Sequence, residues 1–447
     1  IRAVKACGTD KIDLYTSADI RVSIVVAPAG TEPGGPGAMV AAIVHNTTGS
    51  NLIWRLAGQV KAAPALPATV ERTFLTQYVA STVTTDASSL AYKTAATLTH
   101  TPGANESWVY FTGGALTATG NNSTNRALVR LRIGADTDGP KSSQGRYSAH
   151  QVTPGLIASR TYGASPSSTP IVVEIAAGVS TGSASIAQTS IVGLKLEADE
   201  HLSNVTTAVN TASPHDTAVD ALTYTATFLA DDYLLIVTGE WTQASGTAGA
   251  TVSFTVDGTE YGARERAKDF QNYGTYAQMK MLTLTAGSHT IKIKIKSPVS
   301  TVQATMNRCS IVMLKKSRFQ QWFGQELLAE TSTAVTTYAT RVSVTQSFSL
   351  GWDYLVLGGA SLRLSAEVAG GGALATVFKG TEAYTPVQRN SPRTADKYES
   401  NGCFFPAIYR GTGSSETLSL QYSDVRIDET AYIADAIIMA LPLKAAT

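Results

Sequence analysis

The amino-acid sequence predicts an all-β protein in which a small N-terminal β module precedes three tandem antiparallel β-sandwich domains. Three observations favour this fold class: landmarks that recur about every 120 residues, apolar residues that alternate with polar ones, and very few segments with a helical pattern. At 447 residues the chain is long enough for about three domains of ordinary size, each with its own core.

Three landmarks recur in the same order along the chain. The first is an acidic residue shortly before an aromatic residue and an apolar run: Glu106 before Trp108–Phe111, Asp232 before Tyr233–Val237, and Asp353 before Tyr354–Leu357. The second is a turn motif after a strand-like segment: Gly258–Glu260, Gly380–Glu382 and, more loosely, Gly134–Asp136. The third is an apolar run that closes each unit: Ser190–Leu194, Ser310–Leu314 and Ala436–Ala440. Their nearly equal spacing predicts duplicated domains over residues 71–197, 198–318 and 325–447.

The local periodicity is that of strands. From His289 to Lys296 isoleucine alternates with lysine, which predicts a half-buried antiparallel strand, and Thr285–Gly287 supplies the turn before it. A unit of about 120 residues holds roughly seven or eight such strands, enough for a sandwich. The best helical candidate, Gln320–Glu330, is interrupted by Gly324 and is interpreted as a linker or a single turn.

Residues 1–70 do not match the repeat. Two strand-like segments, Asp19–Val26 and Ala41–Val44, are joined by Pro/Gly-rich residues, and a linker punctuated by proline follows them. A sheet this short has little core of its own. We therefore expect residues 1–70 to form a β attachment module that packs on a partner or on a neighbouring copy.

Composition and charge exclude several classes of protein. The chain has 35 Lys and Arg residues against 34 Asp and Glu, with no long run of one sign, so we expect no nucleic-acid partner. No stretch approaches the roughly 20 apolar residues of a membrane span, so we expect no membrane partner. Cys7, Cys309 and Cys403 are too scattered for a disulfide framework or a zinc site, and are predicted to be buried free thiols.

The second unit carries a resemblance to a known family. Its segments Asp232–Leu235, Val256–Glu260, Leu284–Ile291 and Cys309–Met313 resemble a jelly-roll module of phage head-decoration, fibre and tail-appendage proteins, which look like trimeric tumour-necrosis-factor-like folds. Asp13–Ser17 and Asn46–Thr48 are more weakly similar to the start of other phage appendage modules. The resemblance implies three jelly-roll-like sandwiches in a virion protein that contacts capsid or tail proteins, and it brings no catalytic residues.

Consecutive apolar residues predict a partner for the sandwiches. Trp108–Phe111, Leu234–Val237 and Phe404–Phe405 exceed what strict in-and-out alternation requires, so some of these side chains must point away from their own core. Closed cyclic symmetry is the common way for identical chains to cover such faces. The sequence therefore predicts that the chain binds copies of itself, most specifically as a homotrimer.

Catalytic and cofactor motifs are missing from the sequence, which predicts a protein that is not an enzyme and uses no cofactor. Asp136 and Asp138 lie in a fragment of a calcium-loop pattern that lacks the third oxygen position and the distal Glu; a turn is favoured and calcium is left open. Asp199, Glu200 and His201 could contribute to a metal site between domains, although a solvated acidic linker is favoured.

Five aromatic residues are candidates for glycan or partner contacts: Trp241, Tyr261, Phe270, Tyr273 and Trp352. Sugars stack their apolar faces on such rings, but a place in the core or at a subunit interface is the favoured interpretation. The leading hypothesis is a structural protein of a virion. The alternative is a bacterial extracellular adhesin or carbohydrate-binding protein that contacts a host surface glycan. A glycan hydrolase would need paired carboxylates facing one cleft, which the sequence does not exclude.

Overall fold

The structure is a computed structural model of the chain. It describes residues 3–6, 11–15, 21–26, 40–45, 51–55, 72–85, 91–119, 127–135, 141–144, 156–178, 182–244, 249–267, 274–319, 322–365, 372–385, 388–390, 398–399, 403–426 and 429–445. The chain divides into two compact units, Ile1–Val70 and Glu71–Thr447.

The first unit contains one antiparallel sheet of five strands in sequential order. These strands are β1 Ala3–Ala6, β2 Lys11–Tyr15, β3 Arg21–Val26, β4 Val40–His45 and β5 Asn51–Arg55. Each strand pairs with the next, so the sheet is a simple meander.

The second unit contains three sandwiches, each made of an inner and an outer sheet. The first comprises β6 Phe74–Val79, β7 Val83–Thr85, β8 Lys93–His100, β9 Ser107–Thr119, β10 Ala127–Ile133, β11 Lys141–Gln144, β12 Leu156–Thr161, β13 Thr169–Ala177 and β14 Ser183–Leu196. The second comprises β15 His201–Val205, β16 Val209–Asn210, β17 Val219–Phe228, β18 Asp231–Gln243, β19 Ala250–Val256, β20 Thr259–Ala267, β21 Gly274–Leu284, β22 Gly287–Lys296 and β23 Ala304–Lys315, followed by a 3₁₀ turn at Lys316–Arg318. The third comprises β24 Phe323–Leu327, β25 Thr331–Thr333, β26 Ala339–Ser347, β27 Trp352–Leu364, β28 Ala373–Lys379, β29 Glu382–Ala383, β30 Gln388–Asn390, β31 Tyr398–Glu399, β32 Cys403–Arg410, β33 Ser415–Asp424 and β34 Ala431–Ala445.

All three sandwiches share one strand order. The inner sheets run β6-β14-β9-β12, β15-β23-β18-β21 and β24-β34-β27-β32, with β7, β16 and β25 completing the first strand of each. The outer sheets run β8-β13-β10-β11, β17-β22-β19-β20 and β26-β33-β28-β29, and β31 adds to the second of these sheets by pairing in parallel with β20. In each sandwich the long strands alternate between the two sheets except at one outer-sheet hairpin, which is β10-β11, β19-β20 or β28-β29, and this crossing pattern is the jelly-roll arrangement. The predicted fold class, three tandem antiparallel jelly-roll-like sandwiches behind a small β module, is confirmed.

The first sequence landmark is the start of the central strand of each inner sheet. Trp108, Tyr233 and Tyr354 lie at the second or third position of β9, β18 and β27, and all three rings are buried in their own sandwich cores. In the first two sandwiches the acidic residue of the landmark pairs with a lysine one residue from the end of the last strand. Glu106 lies 2.8 Å from Lys195, and Asp232 lies 2.8 Å from Lys316.

The second landmark is the hairpin turn of the outer sheet. Asp257 and Gly258 have φ of 49° and 85°, so the two-residue turn between β19 and β20 needs the left-handed backbone that Asp-Gly favours. The segment after this turn is strand β20, which contains Tyr261. Residues 268–273 lie outside the described structure.

Two linker interpretations are wrong. Within Gln320–Glu330, residues Phe323–Leu327 form strand β24, because their backbone pairs with Ile437–Ala440 of β34 and neighbouring residues. In Glu197–His201, Glu200 is buried and His201 begins β15, so this segment is not a solvated linker. In both cases the pairing partner lies more than 100 residues away, where local sequence patterns carry no information about it.

Candidate functional site

The inner sheets of the three sandwiches enclose a fourth apolar cluster, here called the central core. Each sandwich also has a separate core between its own two sheets. The central strands contribute equivalent pairs of residues to the central core: Val109 and Phe111, Leu234 and Ile236, and Leu355 and Leu357. The last strands contribute a second set: Val192 and Leu194, Val312 and Leu314, and Met439 and Leu441. One chain therefore holds its three sandwiches around a shared interior.

The apolar run on each central strand divides between two cores. Leu234 and Ile236 point into the central core, whereas Leu235 and Val237 point into the core of the second sandwich. All four side chains are almost completely buried. Successive side chains on a strand point to opposite faces of the sheet. A consecutive apolar run is therefore expected where both faces of a sheet are covered.

The three central strands use the same register against their neighbours. Val109 lies opposite Leu194, Leu234 opposite Leu314, and Leu355 opposite Leu441. Each last strand is then interrupted by a bulge whose residue has a positive φ: Gln188 at 52°, Arg308 at 47° and Asp435 at 51°. A bulge in the same place in all three sandwiches bends the strands alike, so their inner faces have the same curvature.

The sandwiches pack in a closed ring. Strand β12 of the first packs on β23 of the second, β21 of the second packs on β27 and β34 of the third, and β32 of the third packs on β9 and β14 of the first. The last contact includes the Phe111 and Phe404 rings, 6.0 Å apart. The same strand thus meets the next sandwich at every step. Head-to-tail contacts of this kind form a ring when the rotation closes, and three steps close this one.

Polar contacts accompany the ring contacts. The Asn204 side chain donates to the Ser159 carbonyl at 3.2 Å between the first and second sandwiches. Between the second and third, the Gln278 amide donates to the Asp435 carboxylate at 3.2 Å, and Arg264 pairs with the same carboxylate. The contacts of Gln278 and Arg264 with Asp435 are buried or partly buried, so they favour one alignment of the second and third sandwiches over sliding alternatives, whereas the Asn204 contact is exposed.

A buried ion pair joins all three sandwiches at one end of the ring. The Arg72 guanidinium donates to both oxygens of Glu200, at 3.0 and 2.6 Å, and both side chains have no exposed surface. The Arg72 backbone N–H donates to the Leu443 carbonyl of the third sandwich, and Glu200 accepts from the backbone N–H of Lys315 in the second. One residue pair thus ties together the start of the first sandwich and the ends of the other two.

The neighbouring carboxylate is also held by cations. Asp199 accepts hydrogen bonds from Lys315 at 2.8 Å and from Arg318 at 2.6 Å. Burial by itself raises the pKa of Asp199, but these hydrogen bonds lower it to about 2. Glu200 and Asp199 are therefore fully used in ion pairs. Among the described residues, no group of three or more His, Cys, Asp or Glu side chains is placed to hold a metal ion.

The predicted homotrimer rested on apolar runs that are buried within one chain. Phe404 lies in the central core and Phe405 in the core of the third sandwich, as the two-sided packing requires. These faces need no second copy of the chain. The homotrimer itself stays a prediction; light scattering that shows a stable monomer near 46.9 kDa would refute it.

Three of the five aromatic residues predicted for glycan or partner contacts lie in the described part of the chain. Trp241 is completely buried in the core of the second sandwich, so its faces are closed to a sugar and this assignment is corrected. Tyr261 stacks on Phe254 with ring centroids 5.4 Å apart, and Trp352 packs partly against the core of the third sandwich. Phe270 and Tyr273 lie outside the described residues, as do Asp136 and Asp138.

An open cleft lies between the second and third sandwiches. It has a volume of about 290 Å³ and is lined by Asp232, Met281, Leu282, Thr283, Lys316, Trp322 and Gly324. Its aromatic residue, Trp322, was missed by the sequence interpretation because it falls in a segment read as a linker. A single tryptophan two residues before Gly324 carries no periodic signal. Only the contacts between β24 and β21, such as the hydrogen bond from the Met281 N–H to Glu326, bring it to the cleft.

Comparisons with known proteins show low similarity. No known protein family matches the sequence, and no curated protein matches it. Solved structures match at 8 to 10% identity. One is an archaeal virus structure described by a triple jelly-roll fold and turret assembly, with a TM-score of 0.20 over 78% of this chain and 83% of that chain. Another is a tandem CBM22 domain of Paenibacillus barcinonensis Xyn10C, with a TM-score of 0.18 over 55% of this chain and 92% of that chain. A Paenibacillus xanthan lyase covers 96% of this chain and 56% of its own, with a TM-score of 0.19. Scores this low carry no inference about function. The described part of the chain has no helix with the length and hydropathy of a membrane span.

Proposed function

We propose that this chain is a structural protein of an extracellular particle, and specifically of a bacteriophage virion as a head-decoration, fibre or tail-appendage protein. The observation that carries the proposal is the closed ring of three jelly rolls around a central core. Such a body buries apolar side chains on both faces of its inner sheets, and this burial stabilises it. Rigid bodies of this kind suit a projecting or stabilising role.

The single-chain ring has a consequence for stoichiometry. Three separate chains that formed the same ring would bring three copies of residues 1–70, whereas this chain brings one. We propose that residues 1–70 attach the protein to the capsid or tail. Attachment would then use one module for each set of three sandwiches, and each attachment point would carry one copy of the ring.

We further propose that the chain is not an enzyme. A glycan hydrolase needs one carboxylic acid whose pKa is raised so that it donates a proton near neutral pH. Among the described residues, the carboxyl groups with strongly shifted pKa values have pKa values that are lowered, not raised. Burial by itself raises the pKa of Glu106, but hydrogen bonds, mainly from Lys195 and Trp108, lower this pKa to about 2. Burial likewise raises the pKa of Glu416, but hydrogen bonds, mainly from Thr412 and Tyr409, lower it to about 2. These groups stabilise loops as carboxylates.

The test uses particles purified from the source organism after deletion of the gene. Purified full chain is expected to sediment with the particles, whereas a chain that starts at Glu71 is expected to fold, as judged by circular dichroism, and to stay in solution. If the full chain fails to sediment with any particle, the virion role is wrong. Equal sedimentation of the two chains would place the attachment site in the sandwiches.

Carbohydrate binding on a cell surface is the second candidate function. The cleft at Trp322 is the observation that favours it, because the cleft combines a half-buried indole with hydroxyl, carboxylate and ammonium groups. The particle experiment separates the two candidates. A carbohydrate-binding adhesin would be found on the cell surface and would be absent from the particle fraction.

A further inference from the structure

The cleft at Trp322 has the size of a site for one sugar ring. Its volume of about 290 Å³ lies at the lower limit of ligand pockets, which run from about 300 to 1,000 Å³. Strand β21 forms one wall with Met281 and Thr283, and the start of β24 forms the other with Gly324. A Cβ at Gly324 would collide with the sulfur atom of Met439 on β34 and would lie 3.2 Å from that of Met281 on β21, so glycine leaves room for both methionine side chains beside the cleft.

Trp322 supplies an apolar wall that is held in place. Its ring lies 6.1 Å from the Phe319 ring, and Phe319 is anchored in the central core. The Lys316 ammonium lies 6.0 Å from the indole centroid. The indole remains half-buried and lines the cleft, so part of it faces solvent. Indole rings stack on the C–H face of a pyranose, and a ring that is already fixed loses little entropy when it does so.

Polar groups lie around the indole with capacity for further hydrogen bonds. Asp232 accepts from the Thr283 hydroxyl at 2.7 Å with one oxygen and from the Lys316 ammonium at 2.8 Å with the other. The Asp232 and Lys316 side chains are 39% and 46% exposed. Each carboxylate oxygen has a second lone pair, and the ammonium has three N–H donors. The cleft therefore offers both donors and acceptors to the hydroxyl groups of a ligand.

The charges at the cleft cancel, which selects against anions. Lys316 is paired with Asp232, and the hydrogen bond from Lys316 lowers the Asp232 pKa, so Asp232 stays a carboxylate at neutral pH. Behind it, Lys315 lies between Asp199 and Asp231, and Arg318 is paired with Asp199. Three cations thus face three carboxylates. An anionic sugar finds no unpaired cation there, whereas a neutral sugar finds paired groups of both signs.

We propose that this cleft binds a neutral hexopyranose residue of a glycan, with Trp322 stacked on the sugar ring and Asp232, Thr283 and Lys316 contacting its hydroxyl groups. The site does not depend on the particle role proposed above, and it adds a glycan contact to the protein in either candidate function. A site for one ring of about 12 heavy atoms is expected to bind with a Kd on the order of 1 mM.

The test is ligand-observed NMR with the full chain. The probes are methyl β-D-glucopyranoside, methyl β-D-galactopyranoside and methyl α-D-mannopyranoside, with methyl β-D-glucuronide as the anionic probe. At least one neutral glycoside is expected to give a saturable signal. Trp322→Ala is expected to weaken its binding more than 10-fold, whereas Tyr78→Ala, at an aromatic residue that is 59% exposed outside the cleft, should leave binding unchanged.

Two further variants keep the test decisive if Trp322→Ala fails to fold. Thr283→Val and Asp232→Asn change exposed or half-buried groups, so they are expected to fold and to weaken binding 3- to 10-fold, about the loss of one hydrogen bond. The proposal is wrong if no neutral glycoside binds up to about 50 mM, well above the expected Kd. It is also wrong if binding survives every cleft variant, or if methyl β-D-glucuronide binds more tightly than all three neutral probes.

Discussion

Replacing Leu234 by alanine tests whether the central core stabilises the folded chain. Leu234 and Leu235 are adjacent on β18, and both are completely buried, but they point into different cores. Leu229 lies just before this strand, and its side chain is 54% exposed. The three positions form a matched set in which the same substitution is made in the central core, in the core of one sandwich and at the surface.

The expected magnitude follows from burial. Leucine to alanine removes three carbon atoms, and at about 0.8 kcal/mol for each buried CH₂ this costs about 2.4 kcal/mol. The cavity left in a core that relaxes incompletely raises the cost to about 3 to 4 kcal/mol. Leu234→Ala and Leu235→Ala should therefore destabilise the chain by similar amounts. Leu229→Ala should cost less than about 0.5 kcal/mol, as exposed substitutions do.

The assay is equilibrium unfolding of the full chain in guanidinium chloride, followed by circular dichroism and tryptophan fluorescence. The free energy of unfolding in water is compared among the three variants. The central core is refuted if Leu234→Ala lowers the free energy of unfolding no more than Leu229→Ala does. That result would mean that the inner face of the second sandwich is open to solvent in solution.

Three further predictions concern the ion pairs and the ring. Glu200→Gln should cost about 3 to 5 kcal/mol of unfolding free energy in the same denaturation assay, because it leaves the buried Arg72 guanidinium without its carboxylate; Arg72→Met combined with Glu200→Leu should recover most of the loss. The hydrogen bond to Asp257 raises the His289 pKa. Burial by itself raises the Asp257 pKa, but hydrogen bonding, mainly from His289, outweighs burial and lowers it. The pair therefore contributes stability that is lost as pH rises through the His289 pKa and also as pH falls through the Asp257 pKa. Asp257→Asn should therefore lower the free energy of unfolding more at pH 5.5 than at pH 8.5, by less than about 1 kcal/mol because the pair is near the surface. An equal loss at both pH values would contradict this. Residues 198–318 expressed alone should self-associate in light scattering, because the inner sheet of this sandwich would lose its cover, and a stable monomer would contradict the prediction.

Much of the fold was predictable because its signals are local or repeated. The strict alternation in His289–Lys296 needs only the period of a strand, and the structure has β22 at Gly287–Lys296 with the isoleucines in the core. The recurrence of Trp108, Tyr233 and Tyr354 needs only comparison of the chain with itself. The candidate site was less predictable. Trp241 lies just past an apolar run and resembles an exposed strand-end aromatic in sequence, but it is buried.

The sequence by itself determined that both faces of β9, β18 and β27 must be covered, because four consecutive apolar residues on a strand leave no polar face. Only the tertiary structure decided what covers them. A second copy of the chain and a second sandwich of the same chain present the same chemistry, so composition and spacing cannot distinguish these partners. The choice depends on whether the connecting segments at Glu197–Glu200 and after Lys315 let the sandwiches turn toward one another. It also depends on pairs such as Arg72 and Glu200, which lie 128 residues apart and which no local pattern connects. Long-range contacts closed the ring within one chain, and the same contacts placed Trp322 in its cleft.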